Sequence, residues 1–100
     1  MANYNVSGLI TLAELAKTKK DNWVVYILKC RDGSLYTGIT NNIDKRIRDH
    51  EIGVGAKYTK GRGPFKVIFM ENHPDRSSAS KKESEIKSLS RKNKIALTFI

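Results

Sequence analysis

Arg46 and His50 share one side of a helix with two isoleucines. Ile43, Arg46, Ile47 and His50 recur at spacings of three and four, the face that a helix presses inward. Further along, Ala79, Glu83 and Ile86 repeat that spacing and put a carboxylate on a second inward stripe. An unpartnered buried charge costs several kcal/mol, and a whole domain has only roughly 5–15 kcal/mol of net stability. A guanidinium, an imidazole and a carboxylate at such positions therefore need a shared polar pocket. Groups of these types held together move protons and stabilise charge, which makes the pocket a candidate for chemistry.

The elements that must position these groups are written in the apolar pattern. Residues 23–29 are β-branched and aromatic on both alternating faces, which predicts a central strand covered on both sides. Arg31-Asp32-Gly33 signals a hairpin into a second strand over residues 34–39. Asn42 can cap a helix running to Glu51. Residues 52–64 hold four glycines and read as a long loop before a third strand over residues 65–71. His73-Pro74-Asp75 forms a turn, Ser77 or Ser78 is the expected cap of a helix to Leu89, and Ser90 starts a further helix from Arg91. The order β-β-α-β-α-α predicts an α/β fold, a small mainly antiparallel three-stranded sheet flanked by helices, over residues 23–100. Residues 1–22 read as an N-terminal extension. Within it residues 1–7 look frayed, and the capping box at Thr11 to Glu14 opens a short helix ending near Lys19.

One hundred residues suit one domain, and 39% hydrophobic residues suit a globular one. Nineteen Lys and Arg against ten Asp and Glu leave a net charge of +9, which favours a polyanionic partner, most simply nucleic acid. Cys30 is the single cysteine, so neither an internal disulfide nor a cysteine-based zinc site can form, and a reducing, cytoplasmic location is expected. The longest apolar run, residues 23–28, is far short of the ~20 residues of a membrane helix.

Two tyrosines flank the hairpin. A two-residue turn would put Tyr26 and Tyr36 on opposite faces of the sheet. A three-residue loop with Gly33 in the left-handed conformation pairs Cys30 with Ser34, sets Tyr26 opposite Gly38 and Tyr36 opposite Leu28, and brings both phenols to one face. The three-residue loop is the expected one.

Val24-Val25-Tyr26, Tyr36-Thr37-Gly38, Arg46 ten residues after Tyr36, His50, and Glu83 on a later helix together resemble the GIY-YIG nuclease superfamily. The resemblance covers residues 23–97. It is strongest to the small stand-alone bacterial members, which share Gly-Ala-Lys-Tyr-Thr (residues 55–59) and a Gly-Arg-Gly-Pro-like turn before the third strand. Val24 stands where the family name has glycine and Thr37 where it has isoleucine; both tyrosines and Gly38 are kept.

The resemblance implies phosphodiester hydrolysis assisted by one divalent ion, Mg²⁺ or Mn²⁺, with Glu83 as its protein ligand and phosphate and water oxygens completing the shell. The residue types suit such roles. Arg46 offers phosphate a fixed fork of donors. Tyr26 or Tyr36 can deprotonate water if its phenol is sufficiently acidified, and His50, one helical turn after Arg46, can take the tyrosine's proton. Gly38 fits a close backbone approach beside the site. Each residue also has a structural alternative: Tyr26 as a core aromatic, Arg46 snorkelling over the sheet, His50 at a helix end, and Glu83 in a capping box with Ser80.

Lys57, Tyr58, Lys60 and Arg62 interleave charge, aromatic and glycine in the long loop, and Arg48 extends the basic surface. They are the expected nucleic-acid contacts. The expectation is thus a metal-dependent endonuclease acting on DNA, structure-dependent or weakly sequence-specific, in repair or processing, with a partner protein as a source of specificity. The competing expectation is a non-catalytic nucleic-acid-binding module of the same fold.

Overall fold

Residues 31–33 close the hairpin in the three-residue form. In the computed structural model, which describes residues 5–6 and 22–98, Gly33 has φ +86°, a region where glycine alone is unstrained. Cys30 N–H donates to the Ser34 carbonyl at 2.8 Å, and the Asp32 carboxylate accepts from the Ser34 amide and hydroxyl. The register that follows pairs Tyr26 with Gly38 and Leu28 with Tyr36, so both tyrosines share a face, as the loop length predicts.

Four strands form the sheet: β1 (Asn5–Val6), β2 (Trp23–Lys29), β3 (Leu35–Thr40) and β4 (Lys66–His73), in the order β1-β4-β2-β3. The central strand β2 is antiparallel to both neighbours, and Val24 through Leu28 are fully buried. The expected three-stranded antiparallel sheet is present. It gains β1, which runs parallel to β4 with Asn5 opposite Lys66. Residues 1–7 read as frayed because a two-residue backbone pairing needs no apolar pattern. The helix expected near residues 11–19 lies outside the described residues.

A bulge in β4 shapes the core. Ile27 faces Phe69 but Leu28 faces Val67, so Ile68 is the extra residue. Consecutive Ile68 and Phe69 thereby both enter the core on one face, with Val25 and Ile27, while Val67 serves the other with Tyr26 and Leu28.

Helix α1 (Ile43–Glu51) covers the tyrosine face. The Asn42 side chain caps it by accepting from the Lys45 amide at 3.1 Å. Ile43 and Ile47 are buried against Tyr26 and Leu28. Each contributes about 1.5–3 kcal/mol relative to exposure, enough to hold the polar residues of the same stripe, Arg46 and His50, against the sheet. Helices α2 (Arg76–Lys87) and α3 (Arg91–Ala96) follow β4; α2 covers the other face through Ala79 and Ile86, and Ser90 caps α3. Asp75 caps α2, not Ser77 or Ser78: its backbone is extended, and its carboxylate accepts from the Ser78 amide at 2.8 Å. The Ser78 hydroxyl is engaged instead by His73 Nδ1. The helix therefore begins earlier than expected and encloses Ser80 and Glu83, which removes the capping-box reading of Glu83.

Candidate active site

The tyrosine face of the hairpin, the inner stripe of α1 and the loop after it meet at Tyr26. Its hydroxyl lies 2.9 Å from His50 Nε2 and 3.4 Å from Arg46 Nε. His50 Nδ1 lies 2.7 Å from the Thr59 hydroxyl, which donates its own hydrogen to the Ala56 carbonyl at 2.9 Å. These contacts assign the hydrogens. Thr59 has one hydrogen and gives it to Ala56, so it must accept from His50 Nδ1–H. The neutral imidazole then presents its Nε2 lone pair to Tyr26, which donates to it, while the phenol oxygen accepts from Arg46.

Electrostatics reinforce this state. Burial, followed by the charge of Arg46, lowers the His50 pKa to about 4, with Asp49 opposing; the ring is neutral at pH 7. Burial is also the main cause that raises the Tyr26 pKa well above a phenol's ordinary value. The Arg46 hydrogen bond opposes it, and Tyr36 and Glu83 add to it. Partial burial works against the Arg46 charge, but its interactions with Tyr26 and Tyr36 outweigh that and raise its pKa. Tyr26, His50 and Arg46 thus form a neutral phenol, a neutral imidazole and a cation in contact.

Glu83 enters this field from α2. Its side chain is 20% exposed and paired with Lys87 at 3.2 Å, and its charge is felt at the Tyr26 phenol. Among the described residues no three His, Cys, Asp or Glu side chains form a cage for an ion. A half-buried carboxylate whose charge reaches the Tyr26 phenol fits a hard cation that keeps most of its shell for water and phosphate, as Mg²⁺ does.

Glycines make room for the cluster. A Cβ on Gly38 would sit 2.6 Å from the Tyr26 hydroxyl, and one on Gly55 would sit 2.6 Å from His50 Nδ1. Tyr36 lies edge-on to His50, ring centroids 5.2 Å apart, and stacks with Tyr58 at 6.1 Å. Tyr58 is 45% exposed, and the Arg62 guanidinium lies over its ring at 4.5 Å. Arg62 also pairs with Asp32 of the hairpin turn. Lys57 and Lys60 are exposed at either end of the short 3₁₀ turn Lys57–Thr59. Arg48 stands apart on the solvent side of α1, paired with Asp44. Sequence reasoning did not single out Thr59. It is the one buried polar side chain of the loop, and only the fold reveals that it meets a histidine nine positions earlier.

The lowered His50 pKa has a measurable consequence. The unfolded chain, with a histidine pKa near 6.5, binds a proton that the folded chain refuses down to about pH 4. Stability from this group is complete above about pH 6.5 and is lost as pH falls toward 4. Denaturant unfolding should show about 2 kcal/mol lower stability at about pH 5 than at about pH 7.5 from this group. In His50→Gln that part of the slope should vanish; an unchanged slope would mean that His50 is not buried neutral.

Residues 22–96 match the family model described as the GIY-YIG catalytic domain. The chain is 53% identical over 73 residues to UPF0213 protein OB0043 of Oceanobacillus iheyensis, covering 73% of this chain and 85% of that one. Among solved structures it is similar to the solution NMR structure of UPF0213 protein BH0048 from Bacillus halodurans, at 50% identity and a TM-score of 0.51, covering 76% of this chain and 81% of that one. Protein EF2693 from E. faecalis, also solved by NMR, is 38% identical with a TM-score of 0.58, over 79% and 84% of the two chains.

Proposed function

This chain belongs to the GIY-YIG catalytic domain family, a nuclease superfamily, and on that premise we propose that it is a divalent-metal-dependent endonuclease that hydrolyses phosphodiester bonds in DNA. The observation that carries the reading is the Tyr26 hydroxyl held between His50 Nε2 and Arg46 Nε within the field of Glu83. Tyr26, which alone of the two tyrosines contacts a His50 ring nitrogen, is the base. As water attacks phosphorus, its proton passes to the Tyr26 oxygen while the Tyr26 proton passes to His50 Nε2. This exchange never requires a free phenolate, which the raised phenol pKa would disfavour. The Nδ1–H bond to Thr59 keeps the receiving nitrogen facing the phenol. Arg46 binds the phosphate and stabilises the charge that builds on it. Glu83 and the phosphate would hold the Mg²⁺ or Mn²⁺ ion, which supplies charge neutralisation at the leaving oxygen. The P–O bond to that oxygen breaks as the bond to the attacking water forms.

The surplus of nine positive charges supplies phosphate affinity without reading bases. Lys57, Tyr58, Lys60 and Arg62 extend the track from the site, and Arg48 adds to the wider field. Target choice then rests on DNA shape or on a partner protein, which suits repair or processing of irregular DNA. The buried, unpaired Cys30 suits the reducing cytoplasm, and no helix among the described residues is long and apolar enough to cross a membrane.

A plasmid-nicking assay with Mg²⁺ or Mn²⁺ tests the proposal. Cleavage is expected, and it should stop on adding a chelator. Arg46→Ala should slow it by about 10²–10³-fold. If neither metal supports cutting of duplex, branched or single-stranded DNA while the protein still binds DNA, the chain is a binding module and the proposal fails.

A further inference from the structure

A cavity of about 210 Å³ lies along the outer edge strand beside the catalytic cluster. Leu35, Tyr36 and Thr37 of β3 form one wall, Tyr58 of the loop another, and Lys87 and Lys94 of the two C-terminal helices the third. Tyr36 belongs to both the cavity and the active site. Lys87, through its 3.2 Å ion pair with Glu83, joins the two from the other side. The walls thus combine two nearly parallel aromatic rings, 23° apart in plane, an apolar leucine and two ammonium groups, with no carboxylate. That lining fits a ligand that is flat and apolar in one part and anionic in another. The space is smaller than the roughly 300–1,000 Å³ typical of drug-sized ligands, so it suits a single base rather than a base pair.

We infer that this cavity seats one nucleotide of the substrate strand next to the scissile phosphate, its base against Tyr36, Tyr58 and Leu35 and its phosphate on Lys87 and Lys94. Stacking on tyrosine tolerates any base, so the seat orients the strand without imposing a sequence. It also demands a nucleotide that can leave its stack, which favours substrates with unpaired or distorted positions over regular duplex. This inference deepens the nuclease reading and rests on it for the identity of the strand, but not for the existence of the seat.

Nucleotide binding and cleavage are therefore measured separately. Thymidine 5′-monophosphate, titrated into the isotope-labelled protein without metal, should shift the amide resonances of Leu35, Thr37 and Lys94 saturably. Inorganic phosphate should leave Leu35 and Thr37 unmoved. Lys94→Ala should weaken the monophosphate about two- to five-fold, the range of an exposed ion pair. In the cleavage arm, an abasic site moved along an oligonucleotide should slow cutting about ten-fold at one position beside the cut and little elsewhere. Saturable monophosphate shifts in a protein that cuts no DNA would leave the seat assigned and remove the nuclease reading. Equal shifts from inorganic phosphate, or active cleavage with a flat abasic profile and no monophosphate shifts, would overturn the seat and leave the nuclease.

Discussion

Tyr26→Phe should lower the single-turnover cleavage rate by about 10³-fold, within the range of one acid–base group, while DNA affinity changes little. The hydroxyl removed by this substitution touches both His50 Nε2 and Arg46 Nε, so in the proposed reaction it is the atom that passes a proton from water to the imidazole. The ring itself packs in the core with Leu28 and Ile47, and phenylalanine keeps that packing. The structural penalty is the unsatisfied His50 nitrogen, about 1–3 kcal/mol, which circular dichroism and thermal melts can separate from the kinetic loss. Tyr36→Phe is the control. Tyr36 meets His50 edge-on through its ring, so this variant should lose less. Should Tyr26→Phe cut at the parental rate, or Tyr36→Phe prove the more damaging, the proton does not travel through Tyr26.

Glu83→Ala should abolish metal-stimulated cleavage, with a fall of at least about 10²–10³-fold in rate, yet bind DNA as tightly as the parent or more tightly. Both halves follow from the position of the carboxylate. It is the acid whose charge reaches the Tyr26 phenol, and in the proposed reaction its loss removes the protein's anchor for the ion. The same loss deletes a negative charge from a basic surface and frees Lys87 from its ion pair, which favours phosphate. The fold should be nearly unaffected, because ion pairs with one exposed partner are worth about 0–1 kcal/mol. Cleavage that survives in Glu83→Ala, or that ignores chelation in the parent, would remove Glu83 from the site.

The residues that face inward were legible because helices and strands repeat. Ile43, Arg46, Ile47 and His50 share a stripe by spacing alone, and the structure buries three of them and half-buries Arg46. The hairpin register was also legible, since loop length and the position of Gly33 decide which side chains share a face. Local chemistry located Asn42 and Ser90 as caps. It missed Asp75, because Ser77 and Ser78 were equally good candidates and only the packing of His73 on Ser78 separates them. The strand Asn5–Val6 left no trace in composition, because its pairing is made by backbone groups.

The sequence by itself determined the order of elements from residue 23 onward, the face on which the two phenols lie, and the fact that a guanidinium, an imidazole and a carboxylate point inward. Tertiary structure alone decided that the Thr59 hydroxyl sets the His50 tautomer, that Tyr26 rather than Tyr36 is hydrogen-bonded to it, and that Gly38 and Gly55 are small because an oxygen and a ring nitrogen lie where a Cβ would stand. The division has a physical reason. Periodicity and turn geometry act over a few residues and are written locally. A hydrogen bond between positions 26 and 50 depends on how a helix settles on a sheet, and no spacing along the chain encodes that distance.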